Sequence, residues 1–118
     1  MSHGWIGVDL DGTLAKYEGW RGVDHIGEPV PLMAARVRRW IAGGLDVRIF
    51  TARAAKTQKP RDRAMAIAAI EGWCLKHLGA VLPITSEKDF AMVELWDDRC
   101  VQIIPNTGKR ADGLDEPA

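Results

Sequence analysis

The sequence has no excess of either charge. Lys and Arg together number 16 of 118 residues, and so do Asp and Glu. A net charge of zero gives no overall field that would attract nucleic acid or an anionic membrane surface, so any such role would need a local cluster. No apolar run approaches the ~20 residues of a membrane span. No basic N-terminal region precedes a long apolar core, so we expect no secretory leader and a soluble, cytoplasmic protein.

Cysteine is also scarce. The two cysteines, Cys74 and Cys100, form no CxxC pair and have no histidine nearby at ligand spacing. We therefore expect both to be buried free thiols in a reducing compartment. Apolar residues make up 47% of the chain and charged residues 27%, a composition that favours a packed core over disorder.

The chain contains apolar runs that alternate between the periods of strands and helices. We predict strands at 5–10, 45–50, 81–84, 92–96 and 101–104, and helices at 31–42 and 62–77. This order predicts an α/β fold with a mostly parallel, five-stranded sheet, organised as a Rossmann-like three-layer sandwich. We expect one domain over residues 1–105, a loop or irregular hairpin (the flap) at 15–29, and a mobile tail at 106–118.

Reactive side chains follow four of the predicted strands. They are Asp9 and Asp11, Thr51, Lys88, and the pair Asp97 and Asp98. Because parallel strands end at one edge of a sheet, we expect these side chains to meet. Crowded carboxylates need a neutralising cation, and Mg²⁺ prefers such oxygen ligands. A cation, a lysine and a hydroxyl together suit a phosphoryl group, and an aspartate can attack it as a nucleophile.

The same residues carry a resemblance to a known family. The run 9–14, Asp-Leu-Asp-Gly-Thr-Leu, is similar to the first motif of the haloacid dehalogenase (HAD) superfamily. The run 50–53, Phe-Thr-Ala-Arg, resembles its second motif, Lys88 its third, and the pair 97–98 its fourth. All four appear in the family's order, each at a predicted strand end.

The resemblance implies a role for each matching residue. Asp9 would be the nucleophile that becomes an aspartyl phosphate, and Asp11 the general acid and base, with its backbone carbonyl on Mg²⁺. Thr51 would bind the phosphoryl oxygens, and Lys88 would hold Asp9 and the phosphate. Asp97 and Asp98 would anchor the metal, and we favour Asp98 as the direct ligand. The predicted metal set is thus Asp9, Asp11, Asp97 and Asp98.

The substrate is less defined by the sequence. We expect Gly12, Ala52, Arg53 and Trp20 to contact it, although the flap could instead pack on its own domain. The basic cluster after the second motif (Arg53, Lys56, Lys59, Arg61 and Arg63) could bind a polyanion or be a solvated helix start.

The spacing of the motifs leaves no room for a cap domain. An open site suits a substrate that is the end of a macromolecule. A partner subunit could instead cover the site, so a homodimer is one interpretation. A weaker similarity connects the chain to the phosphatase part of polynucleotide kinase-phosphatases. The expected activity is Mg²⁺-dependent phosphomonoester hydrolysis on a small molecule or a macromolecular end. The alternatives are a phosphate-binding or regulatory module and a phosphomutase, which the missing cap disfavours.

Overall fold

The structure is a computed structural model and describes residues 4–115. Four strands and two α-helices follow one another along the chain. They are β1 (Trp5–Asp9), α1 (Pro31–Ala42), β2 (Asp46–Phe50), α2 (Pro60–Leu78), β3 (Ile84–Thr85) and β4 (Met92–Trp96). A short 3₁₀ turn, Ala52–Ala54, lies between β2 and α2. None of the helices within the described range is long and apolar enough to cross a bilayer.

The strands form one parallel sheet in the order β3-β2-β1-β4. This confirms an α/β fold of Rossmann-like type, but the sheet has four strands and not the predicted five. The predicted strand at 101–104 does not join it. Instead this segment folds back on itself, with Ile104 N donating to Lys109 O and Ala111 N to Gln102 O, both at 2.8 Å.

The turn at 105–109 explains why this fold-back replaces a fifth strand. Asn106 and Gly108 both have positive φ, at 65° and 74°, so the chain reverses there. The segment 101–104 therefore pairs with the residues just after it. Part of the predicted tail, residues 106–115, belongs to this region, and residues 116–118 lie outside the described range.

Both helices pack on the same face of the sheet. The buried side chains Val37 of α1 and Ile70 of α2 join one core cluster with Val8, Val47 and Ile49 of the central strands. The chain moves from β1 to β2 to β3 in one direction, so right-handed crossovers place both helices on one side. The link from β3 to β4 contains no helix. Within the described residues the fold thus has two layers, and the predicted third layer is wrong.

Helix α2 differs from its prediction in the face that it buries. Its buried residues are Ala66, Ile70, Trp73, Cys74 and Leu78. The spacing of apolar residues in the sequence predicts a different stripe, made of Ala64, Ile67, Ala68, Glu71, Cys74 and Leu78. Cys74 and Leu78 are buried as this stripe predicts, but Ala64 and Ala68 are exposed. Alanines occur on several sides of this helix, so hydrophobic contrast alone does not define its inner face.

The two cysteines have different surroundings. Cys74 is buried as predicted, and burial raises the pKa of its thiol to about 11. Cys100 is exposed, so the prediction that it is buried is wrong. It follows β4 and begins the segment that does not enter the sheet.

Candidate active site

Three carboxylates meet at the carboxyl edge of the sheet. Asp9 ends β1, while Asp97 and Asp98 directly follow β4. The register pairs Val8 with Trp96, so the two neighbouring strands end side by side. Carboxylate oxygens of Asp9, Asp97 and Asp98 all lie within 4.8 Å of one another. The prediction that residues 89 positions apart in sequence would meet here is confirmed.

The turn after β1 positions Asp98. The Thr13 hydroxyl lies 3.2 Å from Asp9 Oδ2 and 3.3 Å from Asp98 Oδ1, and it accepts a hydrogen bond from the Asp98 backbone N–H at 3.0 Å. A single hydroxyl proton can serve only one of the two acids at a time. The sequence motif does not by itself assign a role to Thr13. The position of Thr13 in the run 9–14, directly after the two acids, is the sequence feature that points to this role.

The three acids repel one another. Burial, a hydrogen bond with Asp98 and the charge of Asp97 together raise the pKa of Asp9 from 3.8 to about 7. Asp9 therefore retains a proton near neutral pH when nothing else offsets the charge. A set of three carboxylates without histidine or cysteine fits a hard divalent cation with a preference for oxygen. Asp9, Asp97 and Asp98 are thus the predicted metal residues whose side chains the structure gathers into a cluster.

Asp11 turns to a different partner. Its two carboxylate oxygens accept hydrogen bonds from Arg53, at 2.8 Å from Nε and 3.0 Å from Nη2. This is a two-pronged ion pair with a guanidinium that is only 5% exposed. The Asp11 side chain stays outside the three-acid cluster. The role of its backbone carbonyl on a metal remains a prediction.

The flap is attached to the same guanidinium. Arg53 Nη1 donates to the carbonyls of Gly22 and Val23, at 3.2 and 2.9 Å. The Trp20 ring covers the guanidinium at 4.7 Å. These contacts leave Arg53 with little capacity to bind a substrate, which was its predicted role. Trp20 itself is 57% exposed, so it remains open to contact by a ligand.

Thr51 directly follows β2 and lies in the same cleft as the acids, as predicted. It is 2% exposed, and its hydroxyl oxygen accepts a hydrogen bond from the Arg53 backbone N–H at 3.2 Å. The hydroxyl proton is free to be donated to a ligand oxygen. Thr51 and the three acids line one open cleft of about 530 Å³. The other walls include Asp11, Tyr17, Trp20, Ala52, Arg53, Gln58 and Arg99.

Lys88 does not join the site. It is exposed, and the charges and hydrogen bonds that shift the pKa of Asp9 come from other residues. The next residue, Asp89, accepts a hydrogen bond from Trp5 Nε1 at 2.8 Å. Lys88 is not among the residues that line the cleft. Its role beside Asp9 and the phosphate stays a prediction.

Comparison with known proteins identifies a similar fold. No protein-family model matches the chain, and no curated protein matches it. Among solved structures, the chain is similar to a conserved protein from Bacteroides thetaiotaomicron, with a TM-score of 0.58 and 19% sequence identity. The similarity covers 87% of this chain and 82% of the other. At this identity the similarity supports the α/β fold alone.

The base of the flap is a narrow antiparallel neck. Lys16 N donates to Glu28 O and Val30 N to Leu14 O, both at 2.8 Å. Trp73 Nε1 of α2 donates to Gly27 O at 2.9 Å and fixes the neck to the core. The prediction of an irregular hairpin at 15–29 agrees with this arrangement. Its outer part carries the aromatic side chains that reach the cleft.

The basic residues after the second motif do not form a single patch. Arg53 is buried in the ion pair, and Lys56 pairs with Glu87 at 2.7 Å. Arg63 Nε donates to Ala54 O at 2.9 Å. Arg99, which lies outside this cluster, donates its backbone N–H to Asp97 Oδ1 at 2.7 Å. The two exposed cations left in this cluster, Lys59 and Arg61, do not by themselves support a polyanion site.

Proposed function

We propose that this protein is a Mg²⁺-dependent phosphomonoester hydrolase that acts through an aspartyl phosphate. The observation that carries the proposal is the cluster of Asp9, Asp97 and Asp98 at the strand ends, with the Thr51 hydroxyl in the same cleft. The sequence resemblance to the HAD superfamily adds support, since the same positions carry its first, second and fourth motifs. The third motif, Lys88, gives no support in this structure.

In the first step an Asp9 oxygen attacks the substrate phosphorus. An Asp9–phosphorus bond forms, and the bond from phosphorus to the leaving oxygen breaks. The leaving oxygen takes a proton from Asp11, which lines the same cleft. The Thr51 hydroxyl donates a hydrogen bond to a phosphoryl oxygen and so stabilises the negative charge that develops on it.

In the second step a water molecule attacks the phosphorus of the aspartyl phosphate. Asp11, now ionised, accepts a proton from this water, and Asp9 leaves as a carboxylate. Inorganic phosphate is the product.

Asp9, Asp97 and Asp98 would hold the cation. When bound, Mg²⁺ would offset the negative charge of the acids and the phosphoryl group and so allow one anion to approach another. The Thr13 hydroxyl contacts the carboxylates of both Asp9 and Asp98 and so holds them next to each other for this role. The cleft is open to solvent, which suits either a small phosphoester or a macromolecular end.

Turnover of an activated aryl phosphate tests the proposal. We expect Mg²⁺-dependent release of p-nitrophenol from p-nitrophenyl phosphate, and loss of that activity in Asp9→Asn. Asp46→Asn is the control, because Asp46 lies at the other end of the sheet and pairs with Arg48. Normal turnover by Asp9→Asn would rule out the aspartyl phosphate.

A phosphate-binding or regulatory module is the second candidate function. Two observations favour it: Lys88 is not among the residues that line the cleft, and Asp11 is engaged by Arg53. A beryllium fluoride adduct mimics a phosphorylated aspartate. Binding of this adduct in the presence of Mg²⁺, without turnover of nucleotides, sugar phosphates, phosphorylated oligonucleotides or phosphopeptides, would support the module and exclude the hydrolase.

A further inference from the structure

Two aromatic side chains of the flap line the cleft that contains the acids. Tyr17 is 44% exposed and Trp20 is 57% exposed, and both belong to the wall of this space. Single exposed apolar side chains are ordinary on protein surfaces, so exposure alone assigns them no role. Asp9 and Thr51 line the same cleft, so a ligand with its phosphate at the acids would have these rings as neighbours.

The Trp20 ring is held from one side only. The Arg53 guanidinium lies on one face of the indole, 4.7 Å from the ring centroid. Arg53 is itself fixed, since four of its N–H donors are used by the Asp11 carboxylate and by two carbonyls of the flap. The exposed part of the indole is therefore its other face and its edge. A ring that is already fixed loses little conformational freedom when a second ring stacks on it.

The chemistry of this open face suits a flat, polarisable ring. A guanidinium and an aromatic ring attract each other, and a third planar group can continue the stack on the far side of the indole. Stacking of a nucleobase on an aromatic side chain needs no specific hydrogen bond, because every base has a π face. The cleft volume of about 530 Å³ is typical of small-ligand sites, which range over about 300–1,000 Å³. The cleft thus has space for a phosphate and an attached ring.

A polar group in the same cleft favours a nucleobase over a plain hydrocarbon ring. Gln58 Nε2 donates to the carbonyls of Arg53, at 2.7 Å, and Ala52, at 3.5 Å. Both partners are acceptors, so the amide nitrogen faces them and the carbonyl oxygen Oε1 is left to accept a hydrogen bond. An exocyclic amino group of a base is a donor that this oxygen can bind. The cleft therefore offers a stacking surface and an acceptor for the edge of a base.

The surrounding charge favours a free nucleotide over the end of a nucleic acid. A strand would bring further phosphates, and binding them requires a surface with several cations. The chain has no net charge, and two exposed cations, Lys59 and Arg61, are all that remain of the basic cluster outside its ion pairs and hydrogen bonds. A single phosphate with one base needs no such surface.

We propose that the cleft is a nucleotide site in which Trp20 stacks on the base of a nucleoside monophosphate. The phosphate would lie at the acids and the Thr51 hydroxyl, and the base on the open face of the indole, with its amino group towards Gln58. This inference rests on the proposed hydrolase for the reaction and names its substrate class. The products would be the nucleoside and inorganic phosphate. Trp20 is then a substrate-binding residue that determines specificity.

Two substrates that differ in the base test the stacking. Adenosine 5′-monophosphate (AMP) and ribose 5-phosphate share the phosphate and the sugar. We expect kcat/KM to be about tenfold higher for AMP, and this preference to fall to about twofold or less in Trp20→Leu, which keeps apolar bulk without a π face. Trp20→Phe is the matched variant, because it keeps an aromatic ring and should retain most of the preference. An equal loss on both esters in Trp20→Leu, or no preference in the unmodified protein, would overturn the role of Trp20.

Purine riboside 5′-monophosphate, which lacks the amino group of AMP, tests the part assigned to Gln58. We expect its kcat/KM to be about fivefold lower than that of AMP, the effect of one hydrogen bond between neutral groups. In Gln58→Leu the two nucleotides should be turned over about equally. A difference that persists in this variant would overturn the contact between Gln58 and the base.

Binding of an inert analogue separates the nucleotide site from the hydrolase. A phosphonate analogue of AMP, with a methylene group in place of the bridging oxygen, resists hydrolysis. With Mg²⁺ present, its adenine proton signals should move upfield when the protein is added, because the indole shields a ring stacked on it, and Trp20→Leu should abolish this shift. If the shift occurs but no phosphoester is turned over, the hydrolase fails and the nucleotide site stands. Turnover of phosphoesters without the shift would overturn the nucleotide site and leave the hydrolase intact.

An adenine oligonucleotide with a 5′-phosphate distinguishes a free nucleotide from a strand end. We expect kcat/KM for this oligonucleotide to be no higher than for AMP and to change little with salt concentration. Faster turnover that falls steeply as salt is added would overturn the assignment to a free nucleotide, because the further phosphates of the strand would then contribute to binding.

Discussion

Gly12 faces Asp98 with no room for a side chain. A Cβ atom on Gly12 would lie 2.5 Å from Asp98 Oδ2, and the residue has a φ of +90°. Gly12→Ala should therefore displace Asp98 and strain the turn, at a cost of roughly 1–3 kcal/mol in unfolding free energy. We expect thermal unfolding to show both a lower midpoint and a smaller upward shift when Mg²⁺ is added.

A second glycine provides the control for that substitution. Gly44 has a φ of +80°, and a Cβ atom there would meet nothing within 4 Å. Gly44→Ala should carry backbone strain alone and keep the full response to Mg²⁺. An equal response to Mg²⁺ in both variants would show that Asp98 does not depend on Gly12.

The raised pKa of Asp9 predicts an unusual dependence of stability on pH. Its pKa is 3.8 in an ordinary setting and about 7 in the folded chain, mainly because of burial. Between these values the folded state binds the proton more tightly than the unfolded state. The resulting stabilisation is complete below the lower value and is lost as the pH rises through the higher one.

Thermal unfolding of the metal-free protein can measure this effect. The midpoint should fall as the pH rises from about 4 to about 7, and it should fall less in Asp9→Asn, in which the titrating group is gone. Addition of Mg²⁺ at the higher pH should recover stability in the unmodified protein, since a cation replaces the proton. Identical pH dependence in the two proteins would contradict the raised pKa.

The Thr13 hydroxyl should contribute to metal affinity. It contacts Asp9 and Asp98 and accepts the Asp98 N–H. Thr13→Val keeps the shape of the side chain and removes these contacts, so we expect roughly tenfold weaker Mg²⁺ binding by calorimetric titration. Thr13→Ser, which keeps the hydroxyl, should bind within about twofold of the unmodified protein. If Thr13→Val binds Mg²⁺ as tightly as the unmodified protein, Thr13 does not contribute to metal binding.

Trp73 should stabilise the neck of the flap through its indole N–H. Trp73→Phe would leave the Gly27 carbonyl without its donor, and we expect a loss of about 1–2 kcal/mol in urea unfolding. Trp96→Phe is the control, because Trp96 Nε1 donates to an exposed Glu94 carboxylate at 3.1 Å and that acceptor can turn to water. A loss in Trp73→Phe no larger than in Trp96→Phe would contradict the role of the hydrogen bond.

The sequence was sufficient to predict the acidic edge of the sheet. Short apolar runs that end in Asp9 or in Asp97 are local patterns, and parallel pairing then determines where they meet. Thr51 follows by the same reasoning. The wrong predictions concern segments whose composition fits more than one packing partner. Segment 101–104 has strand composition but pairs with the residues after it, and the alanines of α2 hide which face is inside.

The long-range contacts between side chains leave no pattern in the sequence. The Asp11–Arg53 pair joins two loops that are 42 positions apart, and no periodicity marks it. Only the order of the motifs assigns Lys88 to the site. Its position depends on the path of the link to β4, and the bond from Trp5 to Asp89 directs that link to the far end of β1. Motif order predicts which strand end a residue follows but not the direction in which the chain then leaves.

The position of β4 in the sheet determines when the acidic cluster forms during folding. It pairs with β1, the first strand, although Met92 and Trp5 are separated by most of the chain. Closing such a long loop is slow compared with forming the local units between β1 and β3. A chain still in synthesis can therefore build its three earlier strands while its acidic cluster is incomplete. Binding of a divalent cation would report that the last strand has docked, and the ion would stabilise only the finished protein.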